Sequence, residues 1–299
     1  MKSLVWERMH RIPAFTRRRF LKGAAGALGA ALAWALRWRG AQPSQAQPSE
    51  LTPRAYLPYI AAGEAARPRV AHVHHSGATH WDFQNDWYGE HVDQRSVDAM
   101  MDEGLKQLTG ASSAGAAWGR LLPDYVPGQK IAIKVNFVNA GCEDGDNLID
   151  ALIEPVNALV GSLVAASVRE QDITVYDASR PMPARFYGRR LYPGARYCDS
   201  DGCADERATF RLESQSLRVA FSYPGAQVQR WLTDVLRRAA YVVNMPILKR
   251  HAMHPVSLGF KNHFGSLNDL GGPEDDNPHT YITPSDSRYS ADYSPLVDT

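Results

Sequence analysis

The chain has 299 residues, 44% of them hydrophobic, which is enough for a large core. Lys and Arg (33) nearly balance Asp and Glu (32), so no global field recruits nucleic acid or an anionic membrane. Three cysteines without a CxxC pair argue against a ferredoxin cluster or a zinc ribbon.

The N-terminus reads as an address. Arg17-Arg18-Arg19-Phe20-Leu21-Lys22 follows Thr16 and precedes an Ala- and Gly-rich apolar stretch over 23–36. At about 14 residues this stretch falls short of the roughly 20 that span a bilayer. The pattern resembles a twin-arginine export signal. Ser44-Gln45-Ala46 offers small residues for cleavage, so the mature chain is expected to begin at Gln47, acidic and with no stable membrane span; an uncleaved amphipathic anchor is the alternative. Residues 1–46 are thus expected as signal peptide, 47–68 as a Pro-, Gln- and Ala-rich linker, and 69–299 as one α/β domain. The expected location is outside the cytoplasmic membrane, periplasmic or extracellular. The export machinery is then one partner. In an oxidising compartment Cys198 and Cys203 suggest a local disulfide across CDSDGC, leaving Cys142 as a buried thiol.

Residues 69–75 (RVAHVHH) look like a first strand, with His72 and His74 on one face and His75 opposite. A metal held by His72 and His74 needs a third ligand, for which His80 or Asp82 is at hand. The plainer reading is loop histidines beside an aromatic cluster of Trp81, Phe83, Trp87 and Tyr88, and we favour it. Helical spacing of Val97, Met100, Met101, Leu105 and Leu108 predicts a helix over 94–108. A second is expected over 112–122, ended by Pro123.

Residues 130–138 (KIAIKVNFV) form the clearest strand, with Ile131, Ile133, Val135 and Phe137 on one face and Lys130, Ala132, Lys134 and Asn136 on the other. Helical patterns on either side suggest a sheet covered on both faces, which pushes Lys134 and Asn136 to a strand end facing a crevice. An apolar helix over 154–167 with Pro155 in its first turn comes next. A strand over 173–176 delivers Asp177, Ser179 and Arg180 at its carboxyl end. Residues 181–225 read as an irregular insertion over the pocket, with strand-like runs such as LRVAFSY. A helix over 227–239 precedes a third strand over 241–245. Alternating strands and helices predict a mostly parallel sheet with helices on both faces and right-handed crossovers, where ligands bind outside the carboxyl ends of the strands.

The third strand runs into NMPILKRHAMHPVSLGFKNHFGSL, which mixes Asn244, Lys249, His251, His254, Lys261, Asn262 and His263 with apolar residues. A solvated loop does not need that apolar content, and a plain core does not tolerate that charge. Three strand ends therefore carry polar groups on one edge. Lysines converging there would bind a carboxylate or phosphate-like anion by charge-assisted hydrogen bonds. His251 is the natural proton carrier, and a lysine crowded by other cations, Lys249 or Lys261, could act as base or nucleophile. Asn136 and Asn262 could orient the ligand, with Asn244, Asp177, Ser179 and Arg180 completing its surroundings. No GxSxG, P-loop or GxGxxG motif is present, so hydrolysis through a serine elbow and nucleotide binding by those routes lack support.

KVNF (134–137), YDASR (176–180) and above all NMPILKRH followed by LGFKNHFG resemble the domain of unknown function 362 family, over a span from about residue 69 to the end. The resemblance implies site positions at Lys134, Asn136, Lys249, His251, Lys261 and Asn262. It also implies a redox setting with a possible redox partner protein, and a chain continuing past Thr299. This sequence departs from the family in having no cysteine cluster. Three readings follow: an exported enzyme doing acid–base or redox-linked chemistry on a small anion; a non-catalytic binding protein for an anionic solute or cofactor; or a metal protein using His251, His254 and His263 or the early histidines. The sequence names no cofactor.

Overall fold

The computed structural model describes residues 69–84, 86–138, 140–143, 149–212, 218–220, 229–249 and 259–268. The signal and linker segments, His251, His254 and residues 269–299 lie outside the described residues. Among the described residues no helix is long and apolar enough to cross a membrane.

Helix α1 spans Gln94–Thr109, α2 Ala114–Leu121 and α3 Ile153–Ala165. Local chemistry sets their ends. The Asp93 carboxylate accepts the Ser96 N–H at 2.9 Å, and Gly110 closes α1 in the left-handed conformation at φ 70°. Ser113 caps α2 by accepting the Ala116 N–H. Helix α3 buries nearly its whole length, including Ile153, Val156, Leu159, Val160 and Leu163, against α1, α2 and the sheet. Trp118 of α2 donates its indole N–H to Ser162 of α3 at 2.9 Å, which satisfies a polar atom inside an apolar layer.

The main sheet contains β1 (Lys130–Lys134), β2 (Ile173–Asp177), β3 (Arg196–Asp199), β4 (Glu206–Arg207) and β7 (Ala239–Asn244). All neighbours pair in parallel, in the order β4-β3-β2-β1-β7. The fold is α/β, as the alternating pattern implied. One face carries Ile131, Ile133, Ile173 and Val175 under α1–α3. The other carries Ala132, Tyr176, Ala178 and Cys198, covered by Val235, Leu236 and Phe210. From β1 the chain moves outward through β2, β3 and β4, then returns to pair β7 on the other side of β1. That reversal makes the carboxyl edge between β1 and β7 the topological switch point, where open α/β sheets leave a crevice.

The structure corrects four expectations. Residues 69–75 form no strand; Ala71 and Val73 turn toward α1, with Val73 over Gly104, while His72, His74 and His75 are exposed. Residues 181–212 are more regular than expected and supply α4 (Ala184–Tyr187), β3 and β4. Residues 227–239 are not one helix. Strand β6 (Gln229–Trp231) pairs antiparallel with β5 (Arg218–Ala220), and only α5 (Asp234–Arg238) is helical. Long-range partners override the helical pattern there. The Trp231 N–H goes to Asn268 Oδ1 at 2.7 Å, the Trp231 carbonyl accepts the Asn268 N–H, and Thr233 N–H goes to the Ser266 carbonyl.

The disulfide joins Cys142 to Cys203, with Cα atoms 5.5 Å apart, and Cys198 is the buried free thiol. Cys198 lies inside β3, where its side chain packs with Ala132 and Tyr176. A cysteine committed to the sheet interior cannot also close a surface loop. Its thiol pKa is pushed up to about 12 by burial.

Candidate functional site

Lys134 ends β1, Asp177 ends β2 and Asn244 ends β7, so parallel pairing sets the three side by side. The 3-10 turn Phe260–Ser266 closes over them. Its anchor is Asn262, whose Nδ2 donates to the Lys134 carbonyl at 3.1 Å and to Asn244 Oδ1 at 2.8 Å. Asn244 Nδ2 in turn donates to the Gly259 carbonyl at 2.9 Å, and the Gly265 carbonyl accepts the Ala178 N–H at 2.9 Å. Gly265 is required by contact. A Cβ there would lie 2.7 Å from Lys134 Nζ and 2.8 Å from Asp177 Oδ1.

Lys134 is fully buried, yet each of its three N–H bonds has an acceptor: the Val135 carbonyl at 2.5 Å, Asp177 Oδ2 at 3.2 Å and Asn262 Oδ1 at 3.3 Å. Burial lowers its pKa, and the Asp177 charge and hydrogen bond oppose that lowering. Asp177 is equally occupied. Its Oδ2 also takes the Phe137 N–H at 3.0 Å, and its Oδ1 takes the Ser179 N–H at 3.1 Å and hydroxyl at 3.0 Å. This interior network holds the edge in shape.

Lys249 and Lys261 are different. Both are half-buried and both have lowered pKa values, chiefly through burial. The Lys261 ammonium lowers Lys249 further, while the Asp150 and Asp177 carboxylates oppose it, which places four charges in one field. Lys261 Nζ also sits 5.2 Å from the Phe264 ring centroid. Asn136, two residues past β1, is half-buried, and its buried Oδ1 has no hydrogen-bond partner among the described residues.

His263 lies inside the turn, with Nδ1 3.3 Å from Ser266 Oγ, which is itself 2.9 Å from the Tyr176 hydroxyl. Burial and the Lys134 charge push His263 down to about 4, so it is neutral near pH 7. Arg180 is not drawn into the cluster: it is exposed, and its guanidinium donates to the Ser179 carbonyl. His80 is also exposed, and Trp81, Phe83, Trp87 and Tyr88 stack beside it as an aromatic group. Among the described residues, the one cluster with ligand-sized spacing is Cys142, Asp201 and Cys203 rather than any set of histidines.

Sequence reasoning missed Asp150, Arg185 and Gly265. Asp150 is 2% exposed, 4.0 Å from Arg185 of α4, and its main chain exchanges hydrogen bonds with the Tyr88 hydroxyl. An acid three residues ahead of a strongly apolar helix was the available signal. Arg185 lies over the Trp87 ring at 4.0 Å, a long-range contact with no local signature.

Comparison with protein-family models, with curated proteins and with solved structures found no match.

Proposed function

We propose that the carboxyl edge between β1 and β7 binds a small anion, a carboxylate or phosphate-like group, on Lys249 and Lys261. The observation that carries this reading is the pair of half-buried ammonium groups sharing one field at the switch point. An anion there gains two charge-assisted hydrogen bonds in a partly desolvated site. Asn136 offers an acceptor for a hydroxyl or amine on the ligand, and Asn244 borders the same edge. Lys134, Asp177, Ser179 and Asn262 act as positioning residues, because their polar atoms are taken up by one another and by the main chain.

In this reading His251 moves the proton, and the protein is an exported enzyme doing acid–base or redox-linked chemistry on that anion. Support comes from the unperturbed pKa of histidine near neutrality and from the motif in which His251 sits beside Lys249. The Arg17-Arg18 motif supports export by the twin-arginine machinery, and the motif likeness to the domain of unknown function 362 family supports a redox partner protein.

A second reading, a non-catalytic binding protein for an anionic solute or cofactor, is favoured by the saturation of Lys134 and Asp177. Neither has a valence left for moving a proton. Native mass spectrometry of the exported protein identifies a retained anion, and His251→Ala then separates the two readings. Loss of turnover with ligand affinity kept supports the enzyme; unchanged affinity with no product from any candidate anion supports the binding protein.

A further inference from the structure

The loop after β3 and the loop after β1 meet at Cys142 and Cys203. The two cysteines are 61 residues apart in sequence. Their sulfurs and a carboxylate oxygen of Asp201 all lie within 4.8 Å of one another. Cys142 and Asp201 are exposed and Cys203 is half-buried, so a reductant and an ion can both reach the group.

We propose that Cys142, Cys203 and Asp201 form a redox-gated metal site, closed as a disulfide and able to take a thiophilic divalent cation of the zinc class when reduced. A dithiol reductant supplies two electrons and two protons, the S–S bond breaks, and the reductant leaves as its own disulfide. The cation then displaces both thiol protons and binds two thiolates and the Asp201 carboxylate, with water in the fourth position. Thiolates select soft or borderline ions over magnesium or calcium.

The loop is built to keep this arrangement once the sulfur–sulfur bond opens. The Asp199 carboxylate, fully buried at the end of β3, accepts the main-chain N–H groups of Met182, Asp201, Gly202, Cys203 and Ala204. Gly202 takes the left-handed conformation at φ 79°, which lets Asp201 and Cys203 turn toward the same point. Asp201 Oδ1 accepts the Ser200 hydroxyl at 2.8 Å, which fixes the carboxylate's orientation. On the other side, the Cys142 carbonyl accepts the Ala184 N–H of α4 at 2.9 Å. Both ligand loops are thus anchored by bonds other than the disulfide. The sulfurs need only part to about 3.8 Å, the separation that two bonds of about 2.3 Å make in a tetrahedral site.

The test uses Co2+ as the probe on the full chain, oxidised or reduced with a phosphine and desalted without oxygen. The reduced protein is expected to bind one Co2+ per chain with thiolate-to-metal charge-transfer absorption, which the oxidised protein lacks. Cys142→Ser and Cys203→Ser should each abolish the band, Cys198→Ser should keep it, and Asp201→Asn should weaken affinity at least about tenfold. If reduction loosens the fold, Zn2+ should raise the melting temperature of reduced wild type and not of Cys142→Ser. A reduced chain with neither the band nor the Zn2+-dependent gain overturns the proposal, as does a band lost in Cys198→Ser.

Discussion

Lys134 and Asp177 close neighbouring parallel strands and meet as an ion pair at 3.2 Å with side chains 0% and 2% exposed. Removing one partner leaves the other charge buried. Asp177→Ala should therefore destabilise the fold by about 3–5 kcal/mol. Combining it with Lys134→Met should cost less than the sum of the two single changes. Urea denaturation of the four proteins measures both effects, and strict additivity would mean that the pair is not coupled.

Gly265→Ala sets a methyl group against Lys134 Nζ and Asp177 Oδ1 at 2.7 and 2.8 Å. Those atoms are held by their own partners and have little room to yield. The turn should shift at a cost of about 1–3 kcal/mol. The expected readout is a lower denaturation midpoint together with weaker anion binding, since the same turn carries Lys261.

His263 makes stability depend on pH. Its pKa falls from 6.5 to about 4 in the folded chain. Between those values the unfolded state binds more protons, so stability rises with pH across the window; below about 4 the cost of protonation is fully expressed. His263→Phe should flatten this part of the profile. Denaturation midpoints at intervals from pH 4 to 7 measure it, and an unchanged slope in the variant would assign the dependence to other groups.

The Cys142–Cys203 link closes a long loop, with cysteines 61 residues apart. Loop entropy assigns such a link up to about 4 kcal/mol of stability. Cys142→Ser and Cys203→Ser should each lose a similar amount, and Cys198→Ser much less. Peptide mapping without reductant should recover residue 142 joined to residue 203.

Much of this architecture was legible in the residues. Ile131, Ile133 and Val135 alternate, and α3 repeats its apolar positions so regularly that a parallel sheet covered on both faces followed. The polar strand ends were legible for the same reason, because a buried sheet has nowhere else to hold Lys134 or Asn244. What local pattern cannot show is the partner of an element. Residues 229–233 carry a helical spacing, yet their main chain is taken by β5 and by residues 266–268. Ala71 and Val73 alternate like a strand but lie over a helix. The cysteine pairing failed likewise: a five-residue spacing suggested Cys198 with Cys203, while β3 had already turned Cys198 inward.

The site itself was legible as a composition and not as a division of roles. Lys134, Lys249 and Lys261 look alike in the sequence. Only packing separates the saturated, fully buried Lys134 from the two lysines that share a field at the edge.

The most direct test of the anion site is calorimetric titration of inorganic phosphate and of a small dicarboxylate into wild type, Lys249→Ala, Lys261→Ala and Arg180→Ala. Wild type should bind at least one of the two. Each lysine change should weaken binding by at least about tenfold, roughly one charge-assisted hydrogen bond, while Arg180→Ala leaves it intact. Binding that survives both lysine changes, or that is lost with Arg180 instead, would contradict an anion site on Lys249 and Lys261.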